Sequence, residues 1–297
     1  VIDAQGGYVS PGLIDLHIHG YLGKDVCDGA EESIRTISHG LLANGVTGYL
    51  PTTMTVDMAV IRRALEVCRS LKEESKTWQG STILGCHAEG PFISESKKGA
   101  QDPKYILKPD AAFVKEYADI IKIITLAPET DDNDFAAIRE ITRDTDVVVS
   151  MGHTSADYAT AMAGVDAGVR HVTHLFNAMT PLAHRAPGVV TAALNGDVSC
   201  ELIVDTFHVD ESYRARLYGF IRKQVEEGHQ VFIICPLVGE EDMLPDERKA
   251  VTAYTKKLQS DVFPDLRIAA LHGKMKPKEK ETIMAAFAAG DTDILVS

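Results

Sequence analysis

Five residues of the kinds that hold divalent cations punctuate the first part of the sequence: His17, His19, Glu89, His153 and His174. They lie at the ends of short apolar runs and do not interrupt the middle of them. Imidazole nitrogens and carboxylate oxygens are the donors of catalytic zinc-type sites, in which three protein ligands leave a position open for water. The chemistry such a set supports is metal-assisted hydrolysis. His17 and His19 are two apart, so on a strand both rings point to one side and reach a single cation or two neighbouring ones. Taken alone, that pair also describes two hydrogen-bonded or exposed histidines. Glu89 precedes Gly90-Pro91, which turns the chain, and a carboxylate buried there must be paired, protonated or metal-bound. His87 can face the same side, either as a direct ligand or behind the ligands. His171 precedes His174 by three, which puts it on the opposite side of its strand in a structural role.

Ligands so placed need strands to carry them. From Gly12 to Asp205 short apolar runs alternate with helical stretches, the pattern of βα units around a parallel sheet. Strands are expected near Leu13–His19, Val46–Thr53, Ile83–Glu89, Ile120–Leu126, Val147–Gly152, His171–Leu175 and Cys200–Asp205. That is one short of a (β/α)8 barrel, whose active site is assembled from the C-terminal ends of its strands. The expected fold class is therefore α/β: an incomplete (β/α)8 TIM barrel of the metal-dependent hydrolase type. Helices are expected over Glu31–Asn44, stopping at Gly45, and over Val56–Lys76, with Val60, Ala64, Val67 and Leu71 on one face. Another runs to Ala167 with Ser155 as its cap.

After His208 the character changes. A helix over Ser212–Gly228, a strand over Gln230–Cys235, a helix over Asp246–Leu258, a strand over Arg267–Leu271, a helix over Pro277–Ala289 closed by Gly290, and a strand over Asp293–Val296 make a second, open α/β layer. Charge divides at the same place. Residues 1–212 hold 17 Lys and Arg against 30 Asp and Glu, whereas residues 213–297 hold 13 of each. The acidic first part is a poor partner for nucleic acid, whose binding depends on neutralising phosphates; the neutral second part is undecided on this test. The five cysteines show no CxxC spacing, which fits a reducing cytoplasm. No apolar run reaches the ~18 residues of a membrane span.

The strings PGLIDLHIHG, GVTGYLPTT, HAEGPFI, KKGAQ, MGHT and HLFNAM followed by HRAPG resemble, in this order, the N-acetylglucosamine-6-phosphate deacetylases of the amidohydrolase superfamily, over about residues 1–212. The resemblance implies removal of acetate from N-acetylglucosamine 6-phosphate, giving glucosamine 6-phosphate. It implies a divalent cofactor, zinc above all, held by Glu89, His153 and His174, with a second ion on His17 and His19. Gln101, Asn177, Ala178 through its backbone, Arg185 and His208 fall where the family binds the amino-sugar phosphate, and His208 would polarise the scissile carbonyl. A forked guanidinium at Arg185 matches a phosphate. The family's proton shuttle is an Asp in a Thr-Asp-Ala-like motif, and no such motif follows His208; only Thr292-Asp293 offers a Thr-Asp pair. Activity is accordingly expected to be impaired. Val1-Ile2-Asp3-Ala4 reads as the lead-in to the barrel with an upstream part removed.

Phe220-Ile221-Arg222, the run from Gln230 to Val238, the string LHGKMK and the run from Phe287 to Ser297 resemble the second motor domain of RecG-type ATP-dependent DNA helicases, a partial RecA-like segment over about residues 215–297. The sequence has no GxxxxGK[ST] phosphate loop and ends before the motifs carrying arginine contacts to ATP. Lys274, Lys276, Lys278 and Lys280 read as a solvated helix start more readily than as a DNA site. The expected domains are 1–212 and 213–297, joined within about 211–217. The expected partner is a small amino-sugar phosphate, with no membrane, nucleic acid open only for the tail, and a homodimer as the candidate assembly. Two other functions stay open: a helicase fragment, and a dihydroorotase-like amidohydrolase in which a carbamylated Lys122 would bridge two metals.

Overall fold

Parallel strands cannot be joined by tight turns and need crossovers, which helices supply. The computed structural model describes residues 12–203, 207–210, 219, 222–223, 225–226, 231–233, 255–256, 258–271 and 277–296. They fall into two units divided between Ile203 and Val204. In the first, strands β1 (Leu13–Ile18), β2 (Val46–Thr53), β3 (Cys86–Glu89), β4 (Ile121–Leu126), β5 (Val148–Met151), β6 (His171–Val172) and β7 (Ser199–Cys200) pair side by side in chain order. Every pairing is parallel. Helices α1 (Glu31–Ala43), α2 (Met58–Ser75), α3 (Ala111–Glu116), α4 (Ala136–Asp144), α5 (Tyr158–Ala167) and α6 (Gly188–Asn195) lie between successive strands in sequence. This is an incomplete (β/α)8 barrel of the α/β class.

Strands and helices share one core, in which Ile34, Tyr49, Ile61, Leu65, Ile124 and Val149 are almost wholly buried. On α2 the buried stripe is Ile61, Ala64, Leu65, Cys68 and Leu71, so Val60 and Val67 sit at its margin. Helix α1 stops as expected: Asn44 is its C-cap, and Gly45 follows with a left-handed φ of 79° that costs glycine nothing.

Several expectations are corrected. The third strand is broken into Thr82–Ile83 and β3, and at Gly85 between them a Cβ would stand 2.3 Å from Lys122 Cγ and 2.8 Å from the Ile120 carbonyl, so that only a bare backbone fits there. The sixth strand ends at Val172 and not at Leu175, since His174 and Phe176 adopt left-handed φ values of 34° and 80°. The seventh is ordered as strand only over Ser199–Cys200, and residues 204–206 lie outside the described residues. Helix α5 is capped by Asp157, whose carboxylate accepts from the Thr160 N–H at 2.8 Å. Ser155 is instead bound, through its N–H and hydroxyl, to Glu129.

In the second unit β8 (Val231–Ile233), β9 (Ile268–Ala270) and β10 (Ile294–Val296) form a parallel sheet in the order β8-β10-β9. Helix α7 spans Pro277–Ala288, and Leu258, Phe263, Ile294 and Val296 form a small core. Leu258 opens a π-helical turn, Leu258–Val262. Most of the expected helices over Ser212–Gly228 and Asp246–Leu258, and the string LHGKMK beyond Leu271, lie outside the described residues. Among the described residues no helix is long and apolar enough to cross a membrane.

The α5 cap gives a direct check. Asp157→Ala removes the acceptor for the Thr160 N–H and should cost about 1 kcal/mol, read as a lower urea midpoint for the unit containing Trp78, the sequence's single tryptophan.

Candidate metal centre at the strand ends

Pairing in register brings the C-terminal ends of the strands together, Glu89 standing opposite Thr125 and Ser150 opposite His171. Around Glu89, which is 2 % exposed, four imidazoles converge. Its Oε1 lies 3.2 Å from His153 Nε2, 3.1 Å from His174 Nε2 and 3.4 Å from His17 Nε2; its Oε2 lies 3.3 Å from His19 Nε2. The nitrogens also face each other in pairs, His153 with His174 at 3.1 Å and His17 with His19 at 3.2 Å. In a tetrahedral site with bonds of ~2.0–2.1 Å, neighbouring donors stand about 3.3 Å apart. Both triads, Glu89–His153–His174 and Glu89–His17–His19, have that spacing and could each hold a metal ion.

The donor chemistry fits a cation as well as the distances do. His153 Nδ1 lies 2.8 Å from the Lys97 carbonyl and His19 Nδ1 3.2 Å from the Thr52 carbonyl; a carbonyl only accepts, so both Nδ1 atoms carry the proton. His17 Nδ1 donates to Glu201 at 2.8 Å. In each neutral ring the remaining Nε2 lone pair is then aimed at Glu89, itself an acceptor. Facing lone pairs repel unless a positive charge lies between them, and that charge is either a proton on the imidazole or a metal ion. His174 differs: its buried Nδ1 has no hydrogen-bond partner among the described residues.

Local structure explains why these side chains point inward. Left-handed φ values of 46° at His153 and 34° at His174 turn the chain off the strand just where each ring must swing toward Glu89. Gly152 lets His153 follow β5 closely, because a Cβ there would stand 2.8 Å from Thr125 Cγ2 and 2.9 Å from Thr173 Cβ. Gln101 is buried and bridges, donating to Glu89 Oε2 at 2.9 Å and accepting from the Thr55 N–H at 2.7 Å. Its amide, expected on the substrate, is thus committed within the protein. His87 is also committed: Nδ1 lies 3.0 Å from the Leu16 carbonyl and Nε2 2.7 Å from the Thr125 hydroxyl. Burial, seconded by the charge of His17, pushes its pKa down to about 4, so the ring stays neutral behind the cluster.

The residue missed in the sequence is Glu201. Its Oε2 accepts from His17 Nδ1 at 2.8 Å and from the His174 N–H at 3.3 Å, and its Oε1 from His171 Nε2 at 3.1 Å. The His171 ring is held by Glu201 and the Ser199 hydroxyl, whereas the His174 ring turns to Glu89 and only its backbone N–H meets Glu201. In the sequence Glu201 falls inside the expected strand Cys200–Asp205, so the pattern of a polar residue closing an apolar run does not single it out. Asn177, with its amide 3.4 Å from the Leu175 carbonyl, and Ala178, whose carbonyl accepts from the Thr154 N–H at 3.1 Å, follow β6. Arg185 is exposed in the segment leading to α6. His208, exposed and edge-on to Phe207, belongs to the other unit. Lys122 sits beside Gly85, three residues or ~10 Å along β4 from Thr125, the register partner of Glu89, at the wrong end of the strand for a bridging ligand.

Burial raises the pKa of Glu201, but hydrogen bonds from His17 and His171 outweigh it and hold the carboxyl well below its ordinary 4.5. Burial likewise opposes protonation of His17 and His153, yet Glu201 acting on His17 and Glu89 acting on both raise them above 6.5. A depressed carboxyl stabilises fully above its unfolded pKa and loses this as pH falls; a raised imidazole stabilises fully below its unfolded pKa and loses this as pH rises. In the metal-free unit the Glu201 contribution should therefore be complete above about pH 4.5 and lost as pH falls, while below about pH 6.5 the gain from His17 is opposed by His87, whose depressed pKa costs stability as pH falls through that range. Urea unfolding of the chelator-treated chain across pH, followed by Trp78 fluorescence, measures this, and Glu201→Gln should flatten the acid limb.

With this geometry in place, comparison with known proteins is informative. Residues 8–224 match the sequence profile of the Amidohydrolase family, and residues 213–297 that of the Helicase conserved C-terminal domain. The chain is 41% identical over 204 residues to the N-acetylglucosamine-6-phosphate deacetylase of Bacillus subtilis (strain 168), covering 67% of this chain and 51% of that protein. It is 37% identical over 215 residues to the enzyme of the same name from Lysinibacillus sphaericus, covering 71% and 54%. The crystal structure of N-acetylglucosamine-6-phosphate deacetylase from Pasteurella multocida superposes with a TM-score of 0.64 at 34% identity, over 76% of this chain and 57% of that one. The chain spans about half the length of the curated relatives it matches.

Proposed function

Since the chain belongs to the amidohydrolase family, we propose that residues 1–212 act as a metal-dependent hydrolase that removes acetate from N-acetylglucosamine 6-phosphate to give glucosamine 6-phosphate. The observation that carries this reading is the convergence of four imidazole nitrogens on the Glu89 carboxylate. Glu89, His153 and His174 would hold the main ion and His17 with His19 a second, sharing Glu89. Imidazole and carboxylate donors at tetrahedral spacing favour zinc. A bound divalent ion supplies Lewis-acid polarisation of the amide carbonyl and lowers the pKa of water.

The chain's own residues supply orientation and charge. Thr52 and Lys97, through their carbonyls, and Glu201 fix the tautomers of His19, His153 and His17. Gln101 fixes Glu89 and so serves the substrate indirectly. Asn177, the Ala178 backbone and Arg185 stand on the segment after β6 and are assigned to the sugar phosphate, the guanidinium matching phosphate oxygens. His208 is assigned to the carbonyl oxygen. Proton return to the leaving amine calls for a carboxylate. The candidate offered by the sequence, Asp293, is consumed elsewhere: it accepts from the Arg267 N–H at 2.8 Å and from its guanidinium at 3.0 Å and 2.5 Å.

Residues 213–297 are assigned to a RecG-type helicase C-terminal segment, with the boundary near 212, and the cytoplasm is the compartment both halves suit. A bridging-lysine amidohydrolase is disfavoured by the position of Lys122.

The test is acetate release from N-acetylglucosamine 6-phosphate by the zinc-loaded chain, with metal content measured in parallel. Metal uptake with turnover ~10²–10⁴-fold below a relative that has its general acid is expected. Glu89→Ala should abolish both uptake and release. A chain that takes up no divalent metal, but binds DNA in a salt-sensitive way, would replace this reading with the helicase one.

A further inference from the structure

Three of the converging rings have their outer nitrogen held, and the holders are not alike. His19 and His153 use backbone carbonyls, which every substitution leaves in place. His17 uses a side chain, the Glu201 carboxylate, from a residue 184 positions away. That carboxylate cannot turn freely: Oε1 is held at 3.1 Å by His171 Nε2, and His171 is held in turn by the Ser199 hydroxyl at 2.7 Å. Glu201 is largely buried, its side chain 14% exposed, so no bulk water stands ready to replace it. Without this acceptor, His17 Nδ1 would lose its partner, and the proton could move to Nε2, the atom 3.2 Å from His19 Nε2 and 3.4 Å from Glu89. A protonated Nε2 is no ligand.

We propose that Glu201 is the positioning residue of the second cation position, fixing the tautomer and aim of His17 so that occupancy by His17, His19 and Glu89 depends on it while occupancy by Glu89, His153 and His174 does not. The inference rests on the reading of the cluster as a divalent-metal site. Glu201 meets the first position through its 3.3 Å contact with the His174 N–H, a bond to backbone that leaves the ring nitrogen alone. Carboxylates behind ligating histidines typically contribute 10–100-fold in metal affinity.

The experiment titrates the full, chelator-stripped chain with Zn²⁺ and Co²⁺, counting ions by elemental analysis and following the cobalt d–d bands. The wild-type chain should bind two ions. Glu201→Ala should keep one tight ion and bind the second about 10–100-fold more weakly. Glu201→Gln should stay close to wild type, because the amide oxygen still accepts from His17 while its NH2 donates to His171 Nε2, His171 turning its own Nδ1–H to Ser199. Adding Glu201→Ala to His17→Ala should weaken the second ion no further, and nitrogen NMR should show His17 protonated at Nδ1 in the wild type and mixed in Glu201→Ala. Retention of both ions at unchanged affinity in Glu201→Ala would overturn the proposal. So would loss of both together in Glu201→Ala and Glu201→Gln, which marks a structural role, or a wild type that holds a single ion. A wild-type chain that binds none sinks the metal reading itself.

Discussion

The structure turns on one buried carboxylate. Glu89 is 2 % exposed, and its two oxygens face four imidazole nitrogens and the Gln101 amide. An ionised carboxylate in such a place costs several kcal/mol unless positive charge or donors surround it. The chain answers with rings from β1 and from the ends of β5 and β6, which no single segment could supply. Parallel pairing in chain order is what makes this convergence feasible, since every strand then delivers its C-terminal end to one rim. Glu201, beyond β7, joins the last strand to His17 on the first.

How much of this the sequence disclosed follows the strength of the local signal. The second strand, Val46–Thr53, is found at its expected bounds because Gly45 separates it from α1, Asp57 caps α2 soon after it, and the β-favouring Val46, Thr47, Tyr49, Thr52 and Thr53 lie between. The sixth is shorter than expected because the chain leaves the sheet to aim His174, and an apolar residue such as Leu175 is buried whether or not it is in a strand. Glu89 and the four histidines that converge on it were legible because they stand at the ends of apolar runs. Glu201 was not, because Cys200 and Leu202 flank it in a stretch that reads as more strand. Nor was the commitment of Gln101, which is a long-range hydrogen bond and has no periodicity to betray it.

The two units obey different logics. The first gathers charge at its strand ends; the second, whose described strands form a parallel sheet of three, uses polar groups to hold that sheet, as when Arg267 takes both oxygens of Asp293. The same Thr-Asp pair that invites a catalytic reading in the sequence is thus a strand-entry clamp in the fold. A motif's chemistry depends on whether its carboxylate is left free, and that is decided by partners the sequence does not place beside it.

The strained turns at the rim bear on how a cation would meet this site. His153, His174, Phe176 and Ala178 all have left-handed backbones without being glycine, and such conformations cost roughly 1–3 kcal/mol each. They persist because neighbours fix them from both sides: the His153 carbonyl accepts from Ser94, the Ala178 carbonyl from Thr154, and the Leu175 N–H donates to the Glu201 carbonyl. These bonds involve backbone and owe nothing to a ligand. The donors are therefore already gathered by the fold, unlike small metal-nucleated domains that assemble only around their ion. An ion entering such a site displaces protons from imidazoles that already face one another, so its affinity should be governed by pH and by the groups holding the outer ring nitrogens more than by any rearrangement of the strands.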